Sequence, residues 1–318
     1  MKIALLEPLG VSRELIDQLS APIRASGHEF VYFEQKTTDP QELAKRSENC
    51  EVVMIANNPY PVQAVEQAKE LRLIDVAFTG IDHVALDACR ERNIQICNAA
   101  NYSNQTVAEM VIGMTIALLR KFPEADKAVR NQKTAAGLTG REIAGRTVGI
   151  VGTGRIGMIT AKLFLAFGAK VIACDPCPNP EVEKMGITYM PLKQLMEQSD
   201  IVTIHTPNTP ETRGMIDREC FYSMKKNAYF INCARGPIID NQALADALNE
   251  ERISGAGIDV YNVEPPVPAD EPLLHAKHTV LTPHTAFLSE ESMIRRAHIA
   301  FENVQAYLNG EPQNLCKF

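Results

Sequence analysis

Val148-Gly149-Ile150-Val151-Gly152-Thr153-Gly154-Arg155-Ile156-Gly157 is the stretch on which the fold turns. An apolar strand-like run enters a glycine-rich turn, and an apolar helical stretch, Ile159 to Phe167, follows. A strand leading through G-x-G-x-x-G into a helix opens a dinucleotide-binding βαβ unit. Gly152 permits the tight turn, Gly154 lets the backbone approach a pyrophosphate, and Gly157 allows close helix–sheet packing. Backbone N–H groups at the helix start, around Arg155 and Ile156, would then face the phosphates. Asp175 closes the next strand, where a carboxylate accepts hydrogen bonds from ribose hydroxyls and repels a 2′-phosphate. Pro176-Cys177-Pro178 offers no Arg or Lys to hold such a phosphate, so NAD is expected rather than NADP.

Outward from this motif, short apolar runs alternate with helical patterns along the chain. The first series is Ile3–Leu6, Phe30–Phe33, Val52–Ile55, Ile74–Phe78 and Ile94–Cys97. The second is Thr147–Val151, Lys170–Ala173, Ile187–Tyr189, Ile201–Ile204, Ala228–Ile231, Ala256–Asp259 and Thr279–Leu281. Strands separated by crossover helices predict parallel sheets covered on both faces, and two series predict an α/β protein with two doubly wound domains. Val107 to Gly145 reads as mostly helical. Ser289 to Leu308 reads as a helix with Met293, Ile294, Ala297, Ile299, Ala300, Phe301, Val304 and Leu308 on its apolar positions.

Three later strand ends carry chemistry. Asn232-Cys233-Ala234-Arg235-Gly236, Asp259 to Glu264-Pro265, and Thr282-Pro283-His284 each follow a buried strand. Open α/β sheets bind ligands at such ends. Arginine grips a carboxylate through two parallel hydrogen bonds. Histidine shuttles a proton near neutral pH, and a neighbouring glutamate holds its tautomer and favours the protonated form. Together with a dinucleotide site, this set suits reduction of a 2-keto acid.

The 318 residues carry a net charge of -7 with no basic block, which argues against nucleic acid or an acidic membrane surface as partner. The longest apolar stretch, Met110 to Leu119, is too short to span a bilayer, which needs about 20 residues. A soluble, cytoplasmic protein is expected. Eight scattered cysteines read as reduced thiols, and Cys174-Asp175-Pro176-Cys177 lacks the second ligand pair of a zinc site, so no metal is expected.

The chain resembles the D-isomer-specific 2-hydroxyacid dehydrogenase family over its whole length. The glycine motif, His205-Thr206-Pro207, Phe230 to Gly236, Asp259-Val260 with Glu264-Pro265, and Thr282-Pro283-His284 carry the resemblance, in the family's order. It implies a flavodoxin-like substrate domain, residues 1–100 completed by 288–318, with a Rossmann NAD-binding domain, 101–287, inserted into it. It implies a homodimer through the helix Thr106 to Leu119 and the following arm, where burial within one subunit is the alternative. It implies that Arg235 binds the substrate carboxylate, that His284 donates the proton, and that Glu264 bonds the other imidazole nitrogen. Asp259 would contact the nicotinamide carboxamide. His205, Thr206, Pro207 and Thr212 would line the adenine and pyrophosphate side, with Cys233 and Ala234 beneath the nicotinamide ribose.

Backbone groups of Thr79-Gly80-Ile81 would help hold the carboxylate, while Asn57 and Tyr102 would face the rest of the substrate. Ala56-Asn57-Asn58-Pro59-Tyr60 has no arginine where the phosphoglycerate branch resembles an Arg-Ser pair, so a small unphosphorylated 2-keto acid is expected. The alternatives are an NAD(H)-sensing corepressor-like protein on the same fold and a phosphoglycerate- or hydroxypyruvate-type dehydrogenase.

Overall fold

Twelve short runs rich in apolar and β-branched residues form strands, and every strand pairing is parallel. The computed structural model describes Met1–Phe318 throughout. The chain divides into two units, Met1–Ser103 with Leu288–Phe318, and Asn104–Phe287. No helix is long and apolar enough to cross a membrane.

The smaller unit holds β1 (Lys2–Leu5), β2 (Glu29–Tyr32), β3 (Val52–Ile55), β4 (Leu73–Val76) and β5 (Gln95–Asn98), in the order β2-β1-β3-β4-β5. This is the flavodoxin-like order, with its switch point between β1 and β3. The helix Glu290–Leu308 starts on a reciprocal cap, in which Ser289 Oγ accepts from Ser292 N–H and Ser292 Oγ accepts from Ser289 N–H. Its Ala297, Ala300, Phe301 and Val304 pack with Ile3, Leu5, Val52 and Met54. Full burial of a phenylalanine such as Phe301 stabilises by about 1.5–3 kcal/mol. The apolar positions read from sequence are not all buried. Ile294 is exposed, whereas Arg296 lies inside with Nη2 donating to the Leu9 carbonyl at 2.6 Å.

The larger unit holds β6 (Thr147–Val151), β7 (Lys170–Cys174), β8 (Thr188–Tyr189), β9 (Ile201–Ile204), β10 (Tyr229–Asn232), β11 (Gly255–Ile258) and β12 (Thr279–Leu281). Their order, β12-β11-β10-β9-β6-β7-β8, is the doubly wound Rossmann arrangement predicted from the sequence. Six strands end in register along the row Leu281, Ile258, Asn232, Ile204, Val151 and Cys174. All loops leaving that edge therefore start level. The helix Asn104–Leu119 closes on β11 because Gly255 and Gly257 have no side chains there; an added Cβ would come within 3.2 Å of Leu118 and 3.1 Å of Met114. The next helix, Phe122–Arg130, buries no residue of its own and exposes Phe122 and Val129. Residues 131–146 form turns and extended chain, where a mostly helical stretch to Gly145 was expected. Two glycines shape this segment, Gly137 at φ +78° and Gly140, whose added Cβ would meet the Leu119 carbonyl at 2.6 Å.

Asp75 on β4 is fully buried. Its Oδ1 accepts from Asn303 Nδ2 at 3.0 Å and Cys97 Sγ at 3.2 Å, while Oδ2 has no partner. Burial pushes its carboxyl up to about 7. The folded form thus binds a proton more tightly than the unfolded chain, so Asp75 erodes stability as pH rises from about 4 to about 7. Asp75→Asn keeps an acceptor and cannot ionise. Thermal unfolding should show its Tm gain over wild type at pH 8 and little difference at pH 4; an equal shift at both would refute the assignment.

Candidate active site

The glycine motif behaves as its spacing requires. Gly152 sits at φ +93°, and an added Cβ would lie 2.8 Å from the His205 backbone on the adjacent strand end. At Gly157 an added Cβ would meet the Gly152 carbonyl at 2.0 Å. Gly154 is different, since nothing lies within 4 Å of its Cβ position and it caps the helix Arg155–Ala166 without a side-chain bond. A helix N-terminus with open space before it is a fitting seat for a pyrophosphate. Asp175 Oδ2 accepts from Thr153 N–H at 2.6 Å and Thr153 Oγ1 at 3.0 Å, which fixes the carboxylate beside the turn. Thr212 folds the loop after β9, its hydroxyl donating to the Pro207 carbonyl at 2.6 Å and accepting from Thr209 N–H at 2.8 Å. His205 bonds Thr203 Oγ1 at 3.2 Å. Its protein surroundings push the imidazole down to about 3, although part of the residue reaches solvent, so it stays neutral.

The loops after β10, β11 and β12 hold Arg235, Glu264 and His284 on neighbouring strands of the same edge. Asn232 shapes the first loop by accepting from Ala234 N–H at 2.9 Å and donating to the Arg235 carbonyl at 3.0 Å. Gly236 then passes so close to the second loop that an added Cβ would stand 2.1 Å from the Tyr261 carbonyl. On that second loop, Glu264 Oε2 accepts from Tyr261 N–H at 3.3 Å, and Oε1 lies 2.7 Å from His284 Nδ1. Both side chains are partly exposed, at 17% and 25%, so the pair is reachable from solvent.

Asp259 is completely buried and unites these loops. Its Oδ1 accepts from Thr282 Oγ1 at 2.6 Å and Thr285 N–H at 2.7 Å, and Oδ2 from Ala286 N–H at 2.9 Å. Burial pushes its carboxyl up, and these donors pull it back. His284 N–H donates to the Asp259 carbonyl at 2.7 Å, with His284 held at φ +54°. Cys233 is buried beside Met114, and burial pushes its thiol well up.

In the smaller unit, Asn57 follows β3, and Thr79, Gly80 and Ile81 follow β4. The backbone N–H groups of Thr79, Gly80 and Ile81 donate to no acceptor within the protein. Tyr102 is buried, with its ring 6.1 Å from that of Phe78 and 5.9 Å from the Arg296 guanidinium.

Residues 112–286 match the D-isomer specific 2-hydroxyacid dehydrogenase NAD binding domain. A glycerate dehydrogenase of Methylorubrum extorquens is 36% identical over 94% of this chain and 96% of its own length. A hydroxypyruvate reductase of Blautia hydrogenotrophica is 32% identical, covering 92% and 93%. The NAD-complexed D-isomer specific 2-hydroxyacid dehydrogenase of Lactobacillus delbrueckii ssp. bulgaricus superposes with a TM-score of 0.79 at 29% identity, covering all of both chains. The chain belongs to the D-isomer-specific 2-hydroxyacid dehydrogenase family.

As a member it is an NAD-dependent oxidoreductase. The residues present fit that cofactor. Gly154 leaves room for phosphates before a helix N-terminus, and Asp175 supplies a carboxylate with no cation in the following turn. Sequence reading missed Asn232, which braces its own loop through Ala234 and Arg235, and Thr282, whose partner Asp259 lies on another loop; a polar residue closing a buried strand was the available signal. Asp259, assigned to the carboxamide from the sequence, accepts from Thr282, Thr285 and Ala286 inside the protein. Gly236→Ala should cost about 1–3 kcal/mol through overpacking against Tyr261. Urea denaturation measures this, and wild-type stability would contradict the close approach of the two loops.

Proposed function

We propose that this dehydrogenase interconverts a small unphosphorylated 2-keto acid, such as pyruvate, hydroxypyruvate or glyoxylate, and its D-2-hydroxy acid. The 2.7 Å contact between Glu264 and His284, on the loops after the adjacent strands β11 and β12 and beside the strand that delivers Arg235, carries the reading. Reduction adds a hydride to the keto carbon and a proton to its oxygen, and bound NADH supplies the hydride. His284 gives the proton from Nε2, because Nδ1 is committed to Glu264. Glu264 thereby fixes the ring and balances its charge when both nitrogens carry protons. Arg235 takes the substrate carboxylate through paired N–H donors and draws electron density from the adjacent carbonyl. In the smaller unit, the three unengaged N–H groups at Thr79, Gly80 and Ile81 are donors suited to a substrate carboxylate.

The substrate's far end falls to Asn57. Glu7, buried after β1, accepts from Ala56 N–H at 2.7 Å and Asn58 N–H at 3.1 Å, which pins the turn on either side of Asn57. Lys36 already lies 3.5 Å from Glu7. A neutral amide there suits hydrogen, methyl or hydroxymethyl better than phosphate. The relatives named as hydroxypyruvate reductase and glycerate dehydrogenase support the same substrate class.

His284→Ala should lower turnover by roughly 10²–10⁴, the usual share of general acid–base catalysis, while NADH still binds. NADH oxidation across a panel of 2-keto acids, with product stereochemistry determined, tests the whole reading. Preference for a phosphorylated acid, or undiminished turnover in the variant, would overturn it. We also infer a homodimer through the helix Asn104–Leu119 and the arm beyond it, supported by exposed Phe122 and Val129 on a segment with no buried residue. Sedimentation equilibrium should give twice the chain mass, and Val129→Glu should shift it toward one; a wild-type monomer would refute the interface.

A further inference from the structure

Asn98 is the last residue of β5 and pairs with Val76 at the end of β4. Its Nδ2 donates to the Thr79 carbonyl at 2.7 Å. That carbonyl shares a peptide plane with Gly80 N–H. In a trans peptide the two point in opposite directions, so a bond holding the carbonyl fixes where the N–H aims. Asn98 thus sets the direction of one of the three donors that have no acceptor in the protein.

Asn98 is itself held at its carbonyl and at its N–H. Its carbonyl accepts from Asn303 Nδ2 at 3.1 Å, and the same Nδ2 reaches Asp75 Oδ1 at 3.0 Å. Asn303 Oδ1 accepts from Asn314 Nδ2 at 2.8 Å. Asn98 N–H donates to the Asn314 carbonyl at 3.2 Å, and Cys316 N–H to the Ile96 carbonyl at 2.8 Å. The segment around Leu315 thereby runs antiparallel beside β5 at Cys97. An asparagine on the helix Glu290–Leu308 and another beyond that helix so converge on one strand-end residue.

We propose that Asn98 is a positioning residue for substrate binding, orienting Gly80 N–H toward the 2-keto acid carboxylate, with Asn303 and the Asn314–Cys316 segment holding Asn98 in place. This rests on the assignment of Thr79-Gly80-Ile81 to the carboxylate. Asn98 touches no reacting atom, so its effect falls on substrate affinity and not on the chemical step.

Asn98→Asp keeps the shape but turns the donor toward Thr79 into an acceptor. Its KM for the preferred 2-keto acid, and the dissociation constant of oxamate measured with NADH bound, should rise about tenfold, the scale of one lost hydrogen bond. Turnover at saturation and NADH affinity should stay within about twofold, a split that general loosening of the fold would not produce. Asn314→Ala, at the rim of the network, should move KM and oxamate affinity in the same direction by a smaller factor, and it carries the test if the first variant does not fold. Unchanged oxamate affinity in both variants, with wild type active on 2-keto acids, would overturn the positioning role alone. So would equal losses of NADH and oxamate affinity. A wild type that reduces no 2-keto acid and does not bind oxamate would overturn the carboxylate assignment and this inference with it.

Discussion

The Asp259 carboxylate is the constraint from which the placement of His284 at the strand edge follows. A buried carboxylate is costly unless donors surround it. Here they come from Thr282, Thr285 and Ala286, all on the loop after β12. Parallel pairing of β11 with β12 places Asp259 and Thr282 one residue beyond the paired Ile258 and Leu281. To bring two further N–H groups onto the same carboxylate, the chain must curl over the strand end. His284 lies inside that curl at φ +54°, a region few residues other than glycine adopt without being held there. Its position is set by a neighbour's need for donors, and the Asp259 backbone completes the hold through its carbonyl.

The same edge carries two histidines that play different parts. His205 follows β9 at the centre of the sheet, against Gly152, where it meets a threonine hydroxyl and no carboxylate. It remains neutral and offers shape and a hydrogen bond to whatever sits at the glycine turn. His284 leaves the last strand of the row and meets Glu264. Which histidine meets a carboxylate is therefore decided by its strand position.

Much of this fold was legible because its strands are short, apolar and separated by helices, so local pattern and tertiary role coincide. The stretch Thr147–Val151 reads identically from sequence and structure, and the glycine spacing means what it says because each glycine meets a backbone or an open space. The arm beyond Arg130 was not legible, since Gly140 takes its place from contact with Leu119 and not from local periodicity. Ile294 and Arg296 misled for a related reason. Periodicity marks a stripe, but the Leu9 carbonyl needed a donor and drew the arginine inward. Within the site, the charged and titratable residues announced themselves, whereas Asn232, Asn98 and Thr282 did not. Their work consists of a few hydrogen bonds each, and the Asn98 carbonyl finds its donor 205 residues away.

That difference reflects how the two units present donors. The helix start after Gly154 and the Thr79-Gly80-Ile81 turn both offer main-chain N–H groups, which every residue but proline possesses. No side-chain signature can encode them. What the sequence encodes instead is the means of aiming them: an uncrowded glycine before a helix in one unit, and an asparagine amide on a neighbouring carbonyl in the other. An amide suits this task because it donates along a fixed direction without a charge of its own. A lysine or arginine in its place would put a charge beside the Thr79 turn. The neutral amide of Asn98 holds the Thr79 carbonyl without adding one.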